Sequence, residues 1–183
     1  MRIPFFDQVL SFSQRLFFSV ITLFLAFVIC FLAFQYRREK EYKVELLNTQ
    51  LQFYNKQLSE FIVQQDTLDI NTLRNHVRSY QQKDLRVTLI EPTGKVIFDN
   101  LRMDADQFKN HLSRTEIKRA LQQGSGYAIH RLSESIGGEF FYSACYYPEL
   151  GMIIRSALPY NVSLIQSLSA DPHYIWFAFI ISL

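Results

Sequence analysis

"RVTLIEPTGKVIFDN", residues 86–100, is the stretch whose reading decides the fold. "RVTLIE" and "KVIFDN" are short apolar-rich runs, and "PTG" between them is a tight Pro and Gly turn, so the segment reads as a β-hairpin. Three more strand-like runs lie downstream: "YAIHRLS", then "GEFFYSACYYP" after the Gly137 and Gly138 turn, then "GMIIRSALP" after "ELG". Consecutive strands joined by turns of a few residues cannot make a parallel crossover, so an antiparallel sheet of five strands is expected. Its order along the chain is hairpin, helices, three-stranded meander.

The intervening "MDADQFKNHLSRTEIKRALQQGSG" carries helical spacing. Phe108 and Leu112 suggest one short helical piece. Ile117, Ala120 and Leu121 suggest another, with Ser113 as its N-cap, Glu116 at the capping-box position and Gly124 as its stop.

Upstream of the hairpin the pattern changes twice. "LFFSVITLFLAFVICFLAF", Leu16 to Phe34, is nineteen residues without charge, Gly or Pro. As a helix it is about 28 Å long, enough to cross a bilayer. The bulky, charged "QYRREKEYK" that follows does not resemble a signal-peptide cleavage site, so the segment reads as an uncleaved membrane anchor. Positive charges lie on both sides of it (Arg2 and Arg15 before; Arg37, Arg38, Lys40 and Lys43 after), which leaves topology open on charge alone. Val44, Leu47, Leu51, Tyr54, Leu58 and Phe61 then mark a heptad-like seam, the candidate contact face of an amphipathic helix. The seam either packs against its own domain, the favoured reading, or pairs with a second copy. Leu73, Val77 and Tyr80 mark a further short helix.

The chain has 183 residues, 49 % of them hydrophobic, and a formal net charge of +2 without a basic stripe, so nucleic-acid binding is not expected. Cys30 and Cys145 fit no disulfide framework or metal spacing, and the four His are scattered, so neither a metal nor a cofactor is expected. Glu91, Asp99, Asp104 and Asp106 sit near turns and helix starts, where carboxylates serve as caps. Gly124-Ser125-Gly126 lacks the setting of a phosphate loop. No nucleophile and base are placed together, so no catalytic residue is expected. Tyr142, Arg155 and Arg131 on the meander, with Asp99 at the end of the second strand, are the candidates for binding an anion or a small polar ligand. The competing reading makes Arg155 and Asp99 a structural ion pair.

The expected layout is an N-terminal segment over 1–15, a transmembrane helix over 16–35 and membrane-proximal helices over 36–83. An α/β core over 84–159 follows, then a connecting helix over 160–172 and the start of a second transmembrane helix over 173–183, "HYIWFAFIISL". A domain whose two ends both lead to apolar helices reads as a loop between two membrane spans.

"RVTLIEPTGKVIFDN", "NHLSRTEIKRAL", "GSGYAIHRLSESIGGEFFYSACYY" and "MIIRSALP" together resemble the extracytoplasmic sensor region of bacterial two-component sensor histidine kinases, especially those labelled as phosphate-regulon sensors. The resemblance covers Leu85 to Leu164 and lies in order and spacing; Thr115 departs from it, where the family usually has a proline. It implies an α+β, PAS-like or PDC-type fold with a long N-terminal helix, a homodimer, a cytoplasmic N-terminus over 1–15, and 84–159 as a sensor core outside the cytoplasmic membrane. A kinase core acting on a response regulator would then follow residue 183. None of His76, His111, His130 or His173 is followed by an acidic residue, so these residues hold no phosphotransfer site. The alternatives are the same input domain on a chemoreceptor or nucleotide cyclase, and a membrane-tethered binding or assembly domain without output.

Overall fold

The computed structural model describes residues 11–65, 69–80, 82, 84–102, 108–132 and 138–169, with the backbone alone at 130, 131, 162 and 163. The apolar run 173–183, Asp104, Asp106 and the side chain of Arg131 lie outside the described residues.

Helix α1 runs unbroken over Phe12–Val63, 52 residues or about 78 Å. It holds a segment long and apolar enough to cross a membrane, with side chains such as Leu23 and Phe27 exposed all round. The chain divides into two compact units, and the second, Lys43–Leu168, contains the sheet. Within it come α2 (Ile70–Arg78), β1 (Arg86–Ile90), β2 (Val96–Asp99), α3 (Thr115–Gln123), β3 (Ser125–Leu132), β4 (Glu139–Tyr147), β5 (Met152–Pro159) and α4 (Val162–Leu168). The five strands form one antiparallel sheet in the order β2-β1-β5-β4-β3. The fold is α+β and PAS-like, as expected.

Strand alternation divides the sheet residues between two faces. Val87, Leu89, Phe98, Phe141, Ile154 and Leu158 form one core with Val44, Leu51, Leu58 and Ile62 of α1, Leu73 and Val77 of α2, and Leu168 of α4. Leu47, Tyr54 and Phe61 pack against that core, so the whole seam faces the domain's own sheet. On the other face, Ile90, Val96, Ala144 and Ile153 pack with Ile117 and Ala120 of α3.

Local chemistry fixes the ends of the helices. Asp69 caps α2 through bonds from the Thr72 amide (2.9 Å) and hydroxyl (2.6 Å), the second of which is the main reason its carboxyl titrates below its ordinary range. Gly124, in the left-handed conformation, ends α3. Two expectations fail here. The N-cap of α3 is Arg114, not Ser113, and makes no side-chain capping bond, since a guanidinium has no acceptor to offer the helix amides; Glu116 lies buried in the core. Phe108 to Leu112 is not helical; Asn110 instead donates to Thr93 O (2.8 Å) and accepts from the Leu112 amide (2.8 Å), while the His111 amide donates to Gly94 O (2.8 Å). This segment is thereby tied to the β1–β2 turn.

Two outcomes follow from these contacts. Gly94 has φ +87°, and a Cβ there would overlap Asn110 Oδ1 and crowd the Leu112 backbone. Gly94→Ala is expected to cost about 1–3 kcal/mol, read as a lower denaturation midpoint. His76 stacks on Phe61 with ring centroids 3.8 Å apart and meets Tyr80 edge-on, and desolvation lowers its pKa from the ordinary 6.5. Because the unfolded chain then takes up the proton first, stability is full above that value and falls as pH drops toward the folded pKa. Thermal melts at pH 7.5 and 5 should show this loss, and His76→Phe should lessen it.

Candidate functional site

The α3-facing side of the sheet carries a buried charged cluster. Arg86, Thr88, Asp99, Glu116 and Arg155 are each at most 1 % exposed. Their positions follow from strand register: Thr88 is paired with Asp99 on one side and with Arg155 on the other, so all three side chains project from the same face.

The bonds run across three strands and onto α3. Arg86 Nε donates to Asp99 Oδ2 at 2.8 Å, and Thr88 Oγ1 donates to the same oxygen at 3.0 Å. Arg155 donates to Thr88 Oγ1 at 3.1 Å and to Glu116 Oε1 at 3.4 Å. Asp99 Oδ1 accepts from the amides of Leu101 and Arg102 at 3.1 and 3.2 Å. Asp99 is therefore a turn-capping carboxylate, as read from the sequence, and also half of a buried ion pair.

The competing reading of the sequence paired Asp99 with Arg155; in the structure Asp99 pairs with Arg86, Arg155 pairs with Glu116, and Thr88 bridges Arg155 to Asp99. Arg86 was not foreseen as a site residue, and Glu116 was foreseen only as a cap. Both follow from tertiary packing, since Gly126 lets α3 approach β3 closely: a Cβ there would overlap Arg119 Cβ and lie 2.7 Å from Glu116 O. The Arg155 guanidinium lies 4.8 Å from the Tyr142 ring centroid, a cation–π geometry that brings these two candidates together. Phe140, Tyr142 and Ala157 form a small apolar cluster beside them. Phe108 lies 5.9 Å from the Arg86 guanidinium and 6.0 Å from that of Arg102.

Such a site can hold an anion on Arg155 only in competition with Glu116, because the guanidinium has little contact with solvent. No group of three His, Cys, Asp or Glu suited to a metal occurs among the described residues. The arrangement is a buried network of charge-assisted hydrogen bonds.

Removing one member of a buried pair leaves the other charge desolvated, at a cost of about 3–5 kcal/mol. Arg155→Met alone is therefore expected to lower stability by that order. Arg155→Met combined with Glu116→Leu should cost clearly less than the sum of the two single changes, a coupling read from denaturant midpoints in a double-mutant cycle.

No family model and no curated protein matches the chain. Among the solved structures similar to it are two sensor domains. One, described as the periplasmic sensor domain of a chemotaxis protein, is 11 % identical over 68 % of this chain and 97 % of that one, with a TM-score of 0.44. The other, described as "Structural basis for carboxylic acid recognition by a Cache chemosensory domain", is 8 % identical over 69 % of this chain and 96 % of that one, with a TM-score of 0.43.

Proposed function

We propose that the chain is the extracytoplasmic input region of a membrane-bound sensor histidine kinase, anchored in the bacterial cytoplasmic membrane and transmitting a stimulus through its helices to a kinase core that acts on a response regulator. One observation carries this reading: a helix with a span-length apolar segment continues unbroken into the packed core of a PAS-like domain. A change at the sheet thus reaches α1 through direct packing, and displacements of 1–2 Å are ordinary for such signalling elements.

The cluster around Arg155, Tyr142 and Asp99 is proposed as the place where a small anionic or polar ligand acts, with Arg131 of β3 proposed as a further ligand-binding residue. Binding there would exchange the Glu116 contact for one with the ligand and so shift how α3 lies on the sheet. A homodimer is proposed through the outward side of α1. Leu46 and Phe53 share that side at helical spacing and are 56 % and 57 % exposed.

The same input domain on a chemoreceptor fits the fold equally well; the resemblance described above favours the kinase. Extending the coding sequence beyond Leu183 and assaying the product in membrane vesicles for ATP-dependent histidine phosphorylation decides between them. Phosphorylation is expected, and its absence alongside a methyl-accepting or cyclase domain would overturn the kinase assignment. For topology, Lys95→Cys in intact cells should react with a membrane-impermeant maleimide; reaction only after permeabilisation would place the domain on the other side.

A further inference from the structure

On the face of the sheet that meets α1, the interface is not purely apolar. Asn48 and Asn55 stand seven residues apart in the buried seam, 9 % and 0 % exposed, opposite Ser143 of β4 and Ser156 of β5, both fully buried. Those two serines are direct cross-strand partners. Ser143 Oγ donates to Asn48 Oδ1 at 2.6 Å and Ser156 Oγ donates to Asn55 Oδ1 at 2.6 Å. The Asn55 amide donates to Ser143 O at 3.3 Å and to Cys145 Sγ at 3.8 Å.

The surrounding apolar contacts repeat. Val44, Leu51 and Leu58 recur every seven residues along α1, so a displaced helix again presents aliphatic side chains to an aliphatic sheet face. Apolar packing is non-directional and separates such registers weakly. Hydrogen bonds separate them strongly, because a displaced helix leaves buried hydroxyl and carboxamide groups without partners.

We propose that Asn48, Asn55, Ser143 and Ser156 are positioning residues forming a register lock: they fix where α1 sits along the sheet and make its displacement an all-or-none event rather than a gradual slide. The purpose assigned to the lock rests on the sensing reading above; its geometry does not. It makes α1 a two-state element of the kind a transmembrane signal requires.

The test is a distance measurement within the chain. Spin labels are introduced as non-natural amino acids at Lys56 on α1 and Lys95 at the β1–β2 turn, both exposed, in the full chain in lipid nanodiscs. Dilution with unlabelled chain restricts pulsed dipolar spectroscopy to distances within one molecule. The native protein should give one narrow distance. A variant carrying Asn48→Leu, Asn55→Leu, Ser143→Ala and Ser156→Ala should give a distribution at least twice as wide, or a second peak, while keeping its helical circular dichroism. Should that variant fail to fold, Ser143→Ala with Ser156→Ala, which removes only two hydroxyl oxygens, is read in the same way. A native-width single distance in whichever variant folds overturns the lock. Because the measurement uses neither stimulus nor output, its failure leaves the sensor reading standing, and failure of the kinase assay leaves the lock standing.

Discussion

The rest of the structure depends on how helix α1 meets the sheet. Between Leu16 and Phe34 it carries no charged side chain and is long and apolar enough to cross a bilayer. From Val44 onward only one stripe is buried, and that stripe covers a face of the sheet that would otherwise expose Val87, Leu89, Phe141, Ile154 and Leu158. Strands β1, β5 and β4 owe much of their stability to this cover, since a five-stranded sheet needs burial on at least one face. The two polar steps in the stripe, Asn48 and Asn55, add direction to a contact that hydrophobic area alone leaves loosely specified.

The opposite face meets a different constraint. Two arginines and two carboxylates lie almost wholly out of water between the sheet, α3 and the residues around Phe108. Desolvating four charges is costly, and the attraction within each pair offsets that cost only where the geometry holds. The Arg86–Asp99 pair closes the hairpin on itself. The Arg155–Glu116 pair couples the middle of the sheet to α3, so the docking of that helix is sensitive to anything that competes for the Arg155 guanidinium. Packing on one face and ion pairing on the other meet at adjacent residues of β5, where Ser156 points to α1 and Arg155 to α3.

Several features were legible because their causes are local. The Pro and Gly turn at 92–94 made the hairpin visible, Gly124 ended α3, and the spacing from Val44 to Phe61 marked a helix with one buried side. Misreadings arose where a local rule met a stronger distant demand. Glu116 stands three residues after Ser113, the spacing of a capping box, yet the helix begins one residue later, with Arg114 as N-cap, and Glu116 turns inward to the buried Arg155 guanidinium. The spacing of Phe108 and Leu112 suits a helix, but the Asn110 side chain takes the bonds that would have begun one and gives them to the Thr93–Gly94 turn.

The sequence by itself therefore determined the class of structure: a membrane-length helix, a seam that continues it, an antiparallel five-stranded sheet and the order of its parts. Periodicity and turn chemistry act over a few residues, and a linear pattern records them fully. Tertiary structure alone decided which of the four buried charges pair, that Arg86 belongs to the cluster, and that Asn48 and Asn55 meet Ser143 and Ser156. Those contacts join residues from 13 to 101 positions apart. Their partners are chosen by strand register and by the close approach at Gly126, and a one-residue change in either would turn the same side chains toward different neighbours.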